Sequence, residues 1–430
     1  MRPVHPDDPE AQEPLSGAPA AGVTAQEEQE EDRLGHAECA PEDEGRIRRG
    51  QQDRENDGRR QKERPARQEQ EVHAERRAPD PETLRRKCPG GRCLDPPVGC
   101  RGMPAIAPGA RAFLRRFRAA PKTELHLHLE GSVAPATLVK LSRRVMEPIF
   151  PDLAGVRARR AGLGSPARFL AFYRDVCRLL RSPADYALVA EDLTRHLRRE
   201  NVRHAEVYVS PAVVERIGLD WYDVAEALGK VFRAHENRGG GRILVLLDSV
   251  RHWGPDAAMR VLDLHERRPW RRAAGFGLGG DETALPARAF SRVYARARRL
   301  GLAPLVHAGE WSGPGSVAEA VKHLSPVRIA HGIGAAEDPV LLRLLARKGI
   351  VLDVCPVSNV LTGAIPAGAP HPARALLAAG VRVTLSTDDP GLFGTTLLGE
   401  YRLLAGGGAS ARELKAFAVF SRQAALRTRS

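Results

Sequence analysis

Eight short apolar runs, each followed by a stretch of helical period, dominate the chain beyond residue 120 and leave few folds open to it. They are "ELHLHL" (124–129), "HAEVYVS" (204–210), "RILVLLDSV" (242–250), "AAGFGLGG" (273–280), "APLVHA" (303–308), "VRIAHG" (327–332), "GIVLDVCP" (349–356) and "GVRVTLSTDD" (380–389). Strands that are apolar throughout belong to parallel sheets, whose crossover helices cover both faces. Between the runs, "DWYDVAEALGKVFRAHE" (220–236) and "PARAFSRVYARARRLG" (286–301) carry helical spacing. Eight strand–helix units in about 310 residues favour an α/β fold of the (β/α)8 TIM-barrel type over an open sheet. One connection is long: about 75 residues separate the first two strands, and insertions of that size often carry function. Within it, "ARFLAFYRDVCRLLRS" (167–182) places Phe169, Phe172, Tyr173, Val176 and Leu180 on one helical stripe. That stripe reads either as core or as a helical lid over the barrel mouth.

The first hundred residues are a different material. They contain no Phe, Trp or Tyr, and they mix 18 Lys and Arg with 23 Asp and Glu up to residue 102. Such a segment buries too little apolar surface to offset the entropy of ordering it. Residues 1–105 are therefore expected to be a disordered extension, or one mis-assigned ahead of a start near Met103, and 106–430 the barrel domain. From residue 103 onward, 48 basic side chains face 30 acidic ones. Only eight of the chain's basic residues are Lys, and the arginines are scattered along helices rather than interleaved with aromatics. Neither a nucleic-acid partner nor a membrane is indicated. The six cysteines form no zinc-ribbon pairs and no disulfide framework, which fits a reducing cytoplasm.

In barrels of this kind the chemistry collects where strands end. His126 and His128 stand two apart on the first strand and so share its inward face. The fifth run ends in "VHAGE", offering His307 and Glu310; the sixth offers His331; the eighth offers Asp388 and Asp389. Any one of these has a plain alternative as a hydrogen-bonded strand-end residue or a turn. Together, three His and an Asp are the ligand types of a zinc site, and ionisable groups inside a barrel are costly unless paired or metal-bound. A single zinc held by His126, His128, His307 and Asp388 would activate water, leaving Glu310 and His331 for proton transfer. The other class of zinc deaminase, with H-x-E and P-C-x-x-C, is excluded because "CPVSN" has no second Cys.

The ordered segments "PKTELHLHLEGS", "GGDE", "HAGE", "RIAHGIG", "CPVSN" and "STDDPGLFGT" resemble the adenosine/adenine deaminase family, zinc enzymes of the amidohydrolase barrel superfamily. The likeness covers residue 121 to about 400. It implies that one Zn2+ is bound by the four ligands named above. It further implies that Glu310 protonates purine N1 and that His331 orients the attacking water and accepts its proton. Asp389 would hydrogen-bond N7, and the Gly280 N–H would face N3. The reaction implied converts adenosine or adenine to inosine or hypoxanthine plus ammonia, with the purine as the small-molecule partner. Such chemistry needs a protonated carboxylic acid beside the metal, which a dry pocket favours.

Three departures bear on substrate. Glu130 stands where adenosine deaminases commonly carry an Asp that reaches the ribose, as in adenine deaminases and related subgroups. His204, Glu206 and Tyr208 replace the family's frequent Y-x-E-x-R, and Trp311 adds an aromatic beside "HAGE". A deaminase of a modified nucleoside such as 6-aminodeoxyfutalosine is the alternative within the family. A non-catalytic basic binding protein is the alternative outside it.

Overall fold

The computed structural model describes residues 105–427. The extension expected at residues 1–105 lies almost wholly outside them. Eight strands run in parallel and in chain order: β1 (Lys122–His128), β2 (Val202–Val209), β3 (Arg242–Val250), β4 (Ala273–Gly279), β5 (Ala303–Ala308), β6 (Arg328–His331), β7 (Val351–Val354) and β8 (Arg382–Leu385). The ring closes just past β8. Leu127 bridges Asp388, the His128 N–H donates to the Asp388 carbonyl at 2.9 Å, and the Asp388 N–H donates to the His126 carbonyl at 3.0 Å. This is the eight-stranded α/β barrel expected from the apolar runs.

Strand β8 stops four residues short of the run that announced it. Its last residues, from Ser386 to Asp389, form the turn at the mouth. Asp388 has a φ of +63°, and His331 at the end of β6 also has +63°. Left-handed backbone is sterically unfavourable for a side-chain-bearing residue, so the surrounding structure must hold both in place.

The helices follow local signals. Asp220 caps the Trp221–Asn237 helix by accepting from the Tyr222 and Asp223 N–H groups. The helix expected over 167–182 runs Pro166–Leu179, with Ser165 as its N-cap, and the next begins at Pro183 after the Ser182 cap. Proline fits a helix's first turn but not its interior, which explains the break. In the region expected as 286–301, a 3-10 turn (Ala287–Phe290) precedes the helix Ser291–Arg299. Inside the barrel, below the mouth, Arg328 is buried and forked between Glu206 (2.6 Å) and Asp353 (2.7 Å). Among the described residues, no helix is long and apolar enough to cross a membrane.

Candidate active site

Strands β1, β5, β6 and β8 deliver their ends to one point. His126 Nε2 lies 3.3 Å from His128 Nε2, and His307 Nε2 lies 3.2 Å from the second and 3.1 Å from the first. Asp388 Oδ1 sits 3.2 Å from His126 Nε2 and 3.3 Å from His128 Nε2. Donors about 2.0–2.1 Å from a tetrahedral ion stand roughly 3.3 Å from one another, so this spacing fits a metal cage.

The lone pairs strengthen that reading. His307 Nδ1 is 3.2 Å from the Leu278 carbonyl, and His126 Nδ1 is 3.4 Å from that of Asp353. A carbonyl only accepts, so each of these rings carries its proton on Nδ1 and turns a bare Nε2 inward. Burial holds His128 down to about 4 and His307 well below the ordinary imidazole value, so neither is an imidazolium at neutral pH. Bare nitrogens and a carboxylate crowded together repel unless a cation lies between them. Ser358 Oγ donates to Asp388 Oδ2 at 2.7 Å, leaving Oδ1 for the cage.

Beside the cage stand Glu310 and His331. Glu310 Oε2 is 3.4 Å from His331 Nε2, and Thr362 Oγ1 donates to Glu310 Oε1 at 3.3 Å. Burial, with the nearby Asp388 and Glu282 charges, pushes the Glu310 carboxyl well above its usual range. Burial likewise keeps His331 neutral, at about 3. The Asn359 amide nitrogen lies 3.0 Å from His331 Nδ1, while Asn359 Oδ1 faces His371 Nε2 at 3.3 Å. That orientation places the ring proton on Nε2; half a turn of the amide would move it to Nδ1.

The remaining residues singled out from sequence surround the same space. Asp389 is buried, and neither carboxyl oxygen has a partner among the described residues. It presses on Gly131, where a Cβ would lie 1.6 Å from Oδ1, so no larger residue fits. Glu130 accepts from the Tyr173 hydroxyl at 3.1 Å, its other oxygen has no partner among the described residues, and burial raises it to about 7. Gly280 follows β4 with φ +92°. The aromatic stripe is largely core, with Tyr173 turned toward the site. Phe172 and Val176 are fully buried, whereas the Tyr173 ring stands 6.2 Å from that of His128. Leu180 is buried just past the helix end.

Strand β2 splits its duties. Glu206 pairs with Arg328 and with His204 (3.0 Å), and Tyr208 stacks on His128 with centroids 4.9 Å apart. Trp311 contributes its backbone N–H to a neighbouring carboxylate, and that carboxylate was missed from sequence. Glu282 accepts from the N–H groups of Gly309, Glu310 (3.1 Å), Trp311 (2.8 Å) and Ser312 (3.3 Å), and from Ser316 Oγ. It clamps the loop that carries Glu310. Ser358, Asn359 and Thr362 were also missed, although Glu282 lies within "GGDE" and the first two within "CPVSN".

Residues 121–427 match the family model for adenosine deaminase. The chain belongs to the adenosine deaminase family. Among its relatives is an adenine deaminase of Rhizobium meliloti, 37% identical over 283 residues, covering 66% of this chain and 86% of that protein. An aminodeoxyfutalosine deaminase of Acidothermus cellulolyticus is 35% identical over 308 residues, covering 69% of this chain and 85% of the other. The crystal structure of an amidohydrolase from Burkholderia ambifaria with bound zinc superposes with a TM-score of 0.70. It is 29% identical and covers 77% of this family member and 92% of that chain.

Proposed function

We propose that this protein hydrolyses the exocyclic amino group of a 6-aminopurine, adenine or adenosine, to the 6-oxopurine and ammonia. The observation that carries the reading is the meeting of four ligand atoms from β1, β5 and the end of β8 beside a buried carboxyl whose neutral form burial favours. His126, His128, His307 and Asp388 would hold one zinc ion. When bound, that ion makes water acidic enough to act as a nucleophile near neutral pH.

The chain's own groups do the rest. Glu310 gives its proton to N1, which makes C6 electrophilic as the water oxygen adds. His331 takes the water's proton through Nε2 once the Asn359 amide turns its oxygen to Nδ1. That proton passes to the amino group, the C6–N bond breaks with its electron pair and ammonia leaves, while the hydroxyl proton remaining on the C6 oxygen returns to the Glu310 carboxylate to give the 6-oxopurine. Asp389, whose carboxyl is pushed above its usual range by burial and by the adjacent Asp388 charge, donates to N7. The Gly280 N–H meets N3, and Glu130 serves the N9 end. The side chains of His126, His331, Glu310 and Asp388 are each less than a tenth exposed, so the reaction is screened from bulk water.

The Acidothermus relative supports a second reading, in which the substrate is 6-aminodeoxyfutalosine. Ammonia release from adenine, adenosine, deoxyadenosine, AMP and aminodeoxyfutalosine decides between them, and silence from all five sinks both. Among the described residues Cys177 and Cys355 are buried and free, which supports a cytoplasmic setting.

A further inference from the structure

The inner face of β4 is bare. Gly275, Gly277 and Gly279 alternate along it, and a Cβ on any of them would strike a neighbour. At Gly277 it would lie 2.6 Å from Tyr208 Cε1 and 2.8 Å from Asp248 Oδ1; at Gly279 it would lie 3.1 Å from Asp248 Oδ2 and 3.5 Å from His307 Nδ1. The missing side chains thus make room for a carboxyl that arrives from β3. On that strand Leu246 packs inside the barrel with Tyr208 and Leu305. Asp248, two residues on, faces the same way and stands one step nearer the mouth.

Asp248 is only 7% exposed. The Ser249 N–H reaches its carboxyl, but Oδ1 has no hydrogen-bond partner among the described residues. A buried oxygen left empty costs free energy, and that cost is recovered only if something else fills the place. Nothing in the mechanism above uses this group. Its position is informative: its Oδ2 fills the space a Cβ on Gly279 would need, and Gly279 precedes Gly280, whose N–H is read above as the partner of N3. On a purine, N9 is the neighbour of N3 across C4. Glu130, also with an empty oxygen, serves the same end and lies under Tyr173 of the Pro166–Leu179 helix.

We propose that Asp248 is a specificity-determining residue that accepts the N9–H of a free purine base, so that the pocket selects adenine over N9-substituted purines. The inference rests on the deaminase reading and extends it to the substrate class. A free base offers a ring N–H at this end, where a nucleoside offers a carbon substituent. Two buried carboxyls, one of them bonded to Tyr173 of the Pro166–Leu179 helix, match the first. A site built to bond an N–H discriminates strongly against an analogue that lacks it, because its own polar group is then stranded.

The test compares adenine with 9-methyladenine, which keeps every other ring atom. The purified, zinc-loaded enzyme should favour adenine in kcat/KM by at least about tenfold. Asp248→Ala should collapse that preference by about 10- to 100-fold, with zinc content retained. If that variant does not fold, Asp248→Asn, equal in size, should still reduce the preference at least about threefold. A native preference near one, or a preference that neither variant moves, overturns the proposal. Failure of the native enzyme to release ammonia from any aminopurine would instead sink the deaminase reading itself, so the two failures are distinguishable.

Discussion

The two halves of the site are finished to different degrees. Around His126, His307 and Asp388 every orienting contact is in place: carbonyls behind two of the rings and a hydroxyl behind the carboxylate. On the far side, Asp389, Glu130 and Asp248 all hold oxygens without partners among the described residues. The first half is prepared for an ion and needs only that ion. Under the proposed function, chemistry and selectivity would fall to different groups, the first to side chains already oriented by their neighbours and the second to carboxyls without partners among the described residues.

Substitutions should respect that division. The largest effect is expected at the cage. His307→Ala should release zinc, seen by metal analysis, and lower kcat/KM by more than about 10³-fold; full activity with no metal retained would break the comparison outright. Next comes Glu310→Gln, which should keep zinc yet lower kcat by about 10²- to 10⁴-fold through loss of the N1 proton donor. Near-normal turnover would remove Glu310 from the mechanism. Glu282→Gln loosens the clamp rather than the chemistry, so kcat should fall by roughly 10- to 100-fold with zinc unchanged, as for other residues that orient a functional group. An effect on KM alone would show that the loop positions substrate and not the acid. The smallest change is expected on the vacant side, where Glu130→Asp should shift the adenine-to-adenosine ratio by roughly three- to tenfold and spare the metal. An unchanged ratio would mean that the sugar end is read elsewhere.

That His126, His128, His307 and Asp388 would meet in space was legible because they sit where periodicity puts them. His126 and His128 are two apart on a strand, and His307, His331 and Asp388 end runs that announce themselves as buried strands. Glu282, Asn359 and Thr362 were not legible, since their roles depend on loops from different units meeting in space. Asp248 was hidden for another reason. In "RILVLLDSV" a single acid inside an apolar strand signals nothing until the bare face of β4 shows what it fills. The mouth end of β8 was expected to be longer, whereas the strand stops at Leu385 and the chain reaches a left-handed φ at Asp388. Such backbone is set by tertiary contacts rather than by local preference.

The seam of the barrel carries one last implication. The backbone atoms that stitch the first stave to the last belong to His126, His128 and Asp388, whose side chains also form the cage. An ion seated there would act as a rivet through the join, tightening the whole hoop as well as arming the catalyst. Stripping it should therefore lower the melting temperature together with the rate.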